Sequence, residues 1–98
     1  MDLILWRHAE ALDAKFGSED LDRALTARGE RQAARMAHWL NQHLPATTRV
    51  MVSPARRCQQ TAKATGRSFK TIDAIAPGAS PQALLKAARC PEASEPVL

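Results

Sequence analysis

Short apolar runs alternate with amphipathic helical stretches along the chain, and nothing else in the sequence narrows its fold as much. Leu3-Ile4-Leu5-Trp6 is the first run. Its length and the charges that follow predict a buried strand of a parallel sheet. Residues 9–25 hold Gly17, Ser18 and several acids with no clear period, which predicts a long loop with room for one helical turn. Thr26 is placed to cap a helix. Beyond it Ala33, Met36, Ala37, Leu40 and Leu44 recur at helical spacing, while Arg28, Glu30, Arg31, Arg35 and Gln42 lie mostly off that stripe. An amphipathic helix to about Leu44 follows, stopped by Pro45.

Val50-Met51-Val52 predicts a second strand. Ser53 can cap the next helix with Pro54 at its first position, where a missing N–H costs nothing. That helix runs to about Thr65, and Gly66 ends it. Residues 71–75 alternate well enough for a third strand near a sheet edge, and Pro77-Gly78 predicts a turn. Ser80-Pro81 repeats the cap and proline before a helix from Gln82 to Ala88. Pro91 breaks the chain, and Glu95 to Leu98 reads as the start of another strand. Strand and helix in regular alternation mean an α/β fold with a mostly parallel sheet. Ligands of such sheets sit beyond the carboxyl ends of the strands.

With 98 residues the chain is one domain, 1–98, able to bury about 65% of its unfolded surface. A hydrophobic share of 45% argues against disorder. The net charge of +4 permits anionic partners without choosing among them. No stacking aromatics interleave with the basic residues and no nucleic-acid motif is present, so nucleic acid is not the expected partner. Cys58 and Cys90 match neither a disulfide framework nor a zinc site. No run approaches transmembrane length, and the acidic Asp2 with a short apolar run does not make a signal peptide. A soluble, cytoplasmic protein without membrane contact is the expectation.

Two stretches fall at strand ends: Arg7-His8 after the first, and Ser53-Pro54-Ala55-Arg56-Arg57 after the second. A phosphoryl group placed there needs several positive or N–H donors. Arginine supplies a planar fork that matches its oxygens in pairs. Arg7 comes from the first strand end, and Arg57 from the next helix, whose N-terminus adds N–H groups. A neutral imidazole beside them is a competent nucleophile toward phosphorus, so His8 is the candidate acceptor. Arg56 and Arg57 are ambiguous as a pair: one should face the pocket and the other solvent. Ser53 is a cap whose hydroxyl can also touch phosphate. Glu10 can donate a proton or hold His8, or simply pair with a nearby arginine. Thr61 supports packing near the pocket. The chemistry needs no metal or cofactor, and no carboxylate cluster offers a metal site. His38 and His43 are five apart, wrong for a shared metal face. Trp6 and Trp39 are expected in or at the edge of the core. Arg28, Arg31 and Arg35 form a solvated face.

"LWRHAEA", "LTARGERQA" and "VSPARRCQQTA" together resemble the histidine phosphatase superfamily. Its hallmarks are Arg-His-Gly after the first strand and Ser-Pro-x-x-Arg-x-x-x-Thr after the second, and Ser53, Pro54, Arg57 and Thr61 match the latter position by position, a spacing that chooses Arg57 for the pocket and leaves Arg56 to solvent. The short connections, the Leu-Thr-x-x-Gly helix start and "APGASPQALL" resemble its SixA-like branch, the phosphohistidine phosphatases. The resemblance implies a three-layer α/β/α, phosphoglycerate-mutase-like fold. It implies a nucleophilic His8 that is phosphorylated and then hydrolysed, with Arg7 and Arg57 binding the phosphoryl group. The implied partner is a phosphohistidine protein, carrier or signalling domain. The alternatives are a small phosphate ester, turned over by a phosphomonoesterase or mutase of the same superfamily, and a truncated phosphate-binding module without turnover. The sequence departs from the pattern twice. Ala9 stands where the hallmark often has Gly, and no histidine follows His43, although the family uses a second histidine further on. The chain is therefore expected to be incomplete at the C-terminus, without the family's last strands and helices.

Overall fold

Four extended segments lie side by side in one parallel arrangement in the computed structural model, which describes residues 2–13, 19–89 and 96–98. Val97 forms parallel bridges with Leu3 on one side and Arg49 on the other. Strand β1 (Met51–Val52) continues from Arg49 and pairs with β2 (Lys70–Thr71), Met51 opposite Lys70 and Val52 opposite Thr71. The last described segment is therefore central, between the first segment and β1. Its hydrogen bonds run both ways: Ile4 N–H donates to Val97 C=O at 2.8 Å, and Met51 N–H to Leu98 C=O at 2.9 Å.

Side chains alternate across this sheet. Val50 and Val52 face the core and pack with Leu40, Ala62 and Leu98. Arg49 points to the other face, where its guanidinium donates to the Ala88 carbonyl. Helices α1 (Ala27–His43) and α2 (Arg56–Lys63) thus cover one face, and α3 (Pro81–Ala88) the other. This is an α/β/α layering with parallel strands, as the alternation predicts. No helix among the described residues is long and apolar enough to cross a membrane.

The expected punctuation is in place. Thr26 Oγ1 accepts from Gly29 N–H at 2.8 Å, and Ser80 Oγ from Ala83 N–H at 3.1 Å. Gly66 and Gly78 take positive φ, 68° and 89°, where other residues are strained. At the far end of α1, Arg67 donates to the Leu44 and Pro45 carbonyls, which the helix cannot satisfy itself.

Four expectations are corrected. Leu3 to Trp6 is extended but not a buried strand: pairing with the central segment stops at Val97, and Leu5 is 71% exposed. Ser53 does not cap α2 and Pro54 is not its first residue. Ser53 Oγ instead accepts from Ala55 N–H at 3.3 Å, closing a turn that delays the helix to Arg56. The third strand is not residues 71–75 but Lys70–Thr71. Its partner β1 ends at Val52, so after Ile72 N–H donates to Val52 C=O the chain winds into a 3-10 turn at Asp73–Ile75. Trp39 and Met36 belong to the solvent side of α1, 52% and 44% exposed. The readings placed on Gly17, Ser18, Cys90, Pro91 and Glu95 lie outside the described residues.

The buried face of α1 keeps Ala33, Ala37 and Leu40 from the predicted stripe and adds Gly29. Gly29 has a particular reason. A Cβ there would overlap the Glu10 carbonyl, which passes against the first turn of the helix. Gly29→Ala should destabilise the fold by about 1–3 kcal/mol, since backbone has to yield. Calorimetry will show this as a lowered melting temperature; an unchanged one would mean the Glu10 segment moves aside freely.

Candidate functional site

Helix α2 is short, and its side chains tie four neighbouring segments into one place. Thr61 Oγ1 accepts from Ala9 N–H at 3.1 Å and donates to Arg57 C=O at 2.8 Å. Gln60 Oε1 accepts from Leu25 N–H at 2.7 Å. Gln59 Nε2 donates to Ser53 C=O at 2.8 Å. Arg57 sits one turn before Thr61 on the same inward face and is only 7% exposed. The helix that carries Arg57 therefore also fixes the backbone next to His8. Thr61→Val keeps the shape but leaves the Ala9 N–H without its acceptor. A loss of about 1–3 kcal/mol is expected from that orphaned donor. Hydrogen exchange at Ala9 should accelerate; unchanged protection there would contradict the role.

His8 and Arg57 come together. Arg57 Nε–H donates to His8 Nε2 at 3.2 Å, and His8 Nδ1 lies 2.7 Å from the Ala9 carbonyl. Both contacts assign the same tautomer. A carbonyl only accepts, so Nδ1 carries the proton; a guanidinium only donates, so Nε2 presents its lone pair. The other guanidinium nitrogens of Arg57 donate to Asp20, Nη1 to its carbonyl at 2.9 Å and Nη2 to Oδ2 at 3.1 Å. Asp20 Oδ1 also accepts from Arg23 Nη1 at 3.2 Å, and Arg23 Nε donates to Leu12 C=O at 2.6 Å.

Hydrogen bonds from Arg23 first, and from Arg57 next, hold the Asp20 carboxyl below its ordinary value of 3.8. A carboxylate with a depressed native value contributes fully above 3.8, and that contribution fades as pH falls through the lower native value. The Asp20 contacts are accordingly intact throughout the neutral range.

The remaining candidates are placed less tightly. Arg7 is exposed next to His8 in the chain, and no hydrogen bond joins it to His8 or Arg57 among the described residues. Arg56 faces solvent, opposite in role to Arg57. Glu10 is exposed; its carboxylate lies 3.6 Å from Arg28 Nε, not against His8. Ser53 is half-buried and engaged in its own turn. His43 stacks on Trp39 with ring centroids 4.1 Å apart, away from His8 on the outer face of α1. Burial pushes the Cys58 thiol up, which keeps it protonated and unreactive. Among the described residues no three histidines, cysteines or acids gather as metal ligands.

A cavity of about 220 Å³ opens beside this cluster, between the first extended segment and β1. Ile4, Trp6, Val52 and Cys58 give it apolar walls, and His8, Ser53 and Thr61 contribute the polar ones. What the arrangement offers chemically is an unprotonated imidazole nitrogen, a guanidinium aimed at it, and an adjoining space. Sequence reasoning missed Asp20, which lay in a stretch without periodicity. The available signal was Asp20 with Arg23 three residues on, a spacing that suits an acid–base pair in a helical turn.

Comparison with known proteins places this geometry in context. A family model described as the histidine phosphatase superfamily (branch 1) matches residues 3–77. The structure described as phosphohistidine phosphatase SixA from Nakamurella multipartitia is similar at a TM-score of 0.81 and 35% identity, over 97% of this chain and 55% of that one. The one so described from Agrobacterium tumefaciens gives 0.81 and 27%, over 97% and 63%. A protein histidine phosphatase SixA complexed with tungstate gives 0.75 and 29%, over 99% and 67%. The chain thus spans between 55% and 67% of the length of these three structures. None of the curated proteins matches the sequence.

Proposed function

Because the chain belongs to the histidine phosphatase superfamily, we propose that it removes the phosphoryl group from a phosphohistidine on a protein and carries that group on His8. The observation behind this is the His8–Arg57 contact: Nδ1 is tied to the Ala9 carbonyl, and Nε2 faces Arg57 Nε at 3.2 Å. The Nε2 lone pair gives up its hydrogen bond from Arg57 Nε–H, which passes to an incoming phosphoryl oxygen, and attacks phosphorus. The bond from phosphorus to the donor imidazole breaks, its electron pair returns to that nitrogen, and solvent supplies the proton. Water then attacks the phosphoryl group on His8. The P–N bond breaks, its electrons return to Nε2, a proton leaves to solvent and inorganic phosphate departs.

Arg57 steadies the charge on the phosphoryl oxygens in both steps, and exposed Arg7 supplies a second guanidinium. The Ser53 hydroxyl, on the cavity wall with His8, is a further contact for an oxygen. Preorganised donors of this kind act without any metal or cofactor. A protein substrate is favoured by the short connection after β1, only Ser53 to Ala55, which builds no lid over His8.

The deciding experiment compares a phosphohistidine carrier domain with sugar phosphates as substrates. Faster release of phosphate from the carrier domain is expected. Preference for the sugars would instead mark a small-molecule phosphomonoesterase. Phosphate binding without labelled His8 would mark a binding module.

A further inference from the structure

We propose that Asp20 is a positioning residue, which grips the far side of the Arg57 guanidinium and so turns its Nε–H toward His8 Nε2. The inference rests on the reading of His8 as phosphoryl acceptor for its consequence, though not for its geometry. Arg57 divides its donors by direction: Nη1 and Nη2 go to the Asp20 carbonyl and Oδ2, and Nε goes to His8. A guanidinium is planar and rigid, so fixing two of its nitrogens fixes the direction of the third. Asp20 is itself held. Arg23 binds its other carboxylate oxygen and anchors to the Leu12 carbonyl. A continuous chain of contacts therefore runs from Leu12 through Arg23, Asp20 and Arg57 to the lone pair of His8.

The carboxylate is not needed to bury anything, because the Asp20 side chain is 54% exposed while that of Arg57 is 8% exposed. An exposed acid holding a buried base serves orientation more than packing. Without it Arg57 keeps its charge and its place on α2, yet its fork is free to swing. An aiming error of about 1 Å at such a group costs on the order of a hundredfold in rate.

The test uses Asp20→Ala and Asp20→Asn beside the wild-type protein, with two readouts. The first is exchange and line shape of the Arg57 Nε–H in nitrogen-15 NMR, which needs no activity. The second is vanadate affinity. In Asp20→Ala the Nε–H should exchange faster, and vanadate should bind about tenfold more weakly, a loss typical of removing a supporting contact. The melting temperature should stay near that of the wild type. Asp20→Asn retains an acceptor oxygen and should recover most of both signals. Unchanged Nε–H exchange in Asp20→Ala overturns the proposal. So does tighter vanadate binding, which would make Asp20 a competitor for the fork. Should wild-type protein fail to bind vanadate, the phosphatase reading fails, and the Nε–H signal alone still decides the role of Asp20.

Discussion

His8→Asn is expected to lose turnover of a phosphohistidine substrate by on the order of 10⁴-fold or more, the scale on which removal of a nucleophile acts. The choice of asparagine isolates the chemistry. Its side-chain amide is short enough to keep donating to the Ala9 carbonyl as Nδ1 does now, at 2.7 Å. The loop held by Thr61 therefore stays in place. What disappears is the Nε2 atom and its lone pair. Acid-labile labelling by a phosphorylated carrier domain should vanish with the rate, while the melting temperature changes little. Retained labelling in His8→Asn would place the acceptor elsewhere.

Arg57→Lys is the second large effect. Lysine preserves the positive charge near Nε2 but replaces a three-way fork with a single ammonium. It cannot donate at once to His8 Nε2, the Asp20 carbonyl and Asp20 Oδ2, as Arg57 does over 2.9–3.2 Å. A fall of about 10²- to 10³-fold in kcat is expected, the range for losing a preorganised donor at a developing charge. Steady-state kinetics against a phosphorylated carrier domain will read it. Wild-type turnover in Arg57→Lys would mean that charge alone suffices and the fork is idle. Arg57→Ala is a poorer probe, because it also empties a buried position and orphans Asp20.

Much of this architecture is legible in the sequence because local signals and burial agree. Thr26, Ser80, Gly66 and Gly78 each carry a cap or a positive φ that a few neighbouring residues dictate. Helical geometry says only that Arg56 and Arg57 point about a hundred degrees apart; the choice of Arg57 comes from the spacing of the family motif it matches. The failures occur where long-range contacts overrule the local signal. Ser53-Pro54 has the composition of a helix start, yet Gln59 and Ala55 recruit Ser53 into a turn. The apolar period of α1 included Met36, yet that residue is 44% exposed, while Gly29, outside the predicted stripe, is buried because the Glu10 backbone passes over the first turn. Leu5 looked like core from the length of its apolar run and the charges bounding it, but sheet pairing does not extend beside it. The local Asp20–Arg23 spacing was there to be read, but the pairing of Asp20 with Arg57 was not, because 37 residues separate them, a distance that no periodicity spans.

The most direct measurement is the site of phosphorylation itself. Protein labelled with nitrogen-15 in histidine is incubated with a phosphorylated carrier domain, quenched at alkaline pH, and examined for coupling between phosphorus and the imidazole nitrogens. Coupling to Nε2 of His8, with the proton still on Nδ1, is the predicted result. Coupling to Nδ1 of His8, or to a nitrogen of His38 or His43, would contradict the account.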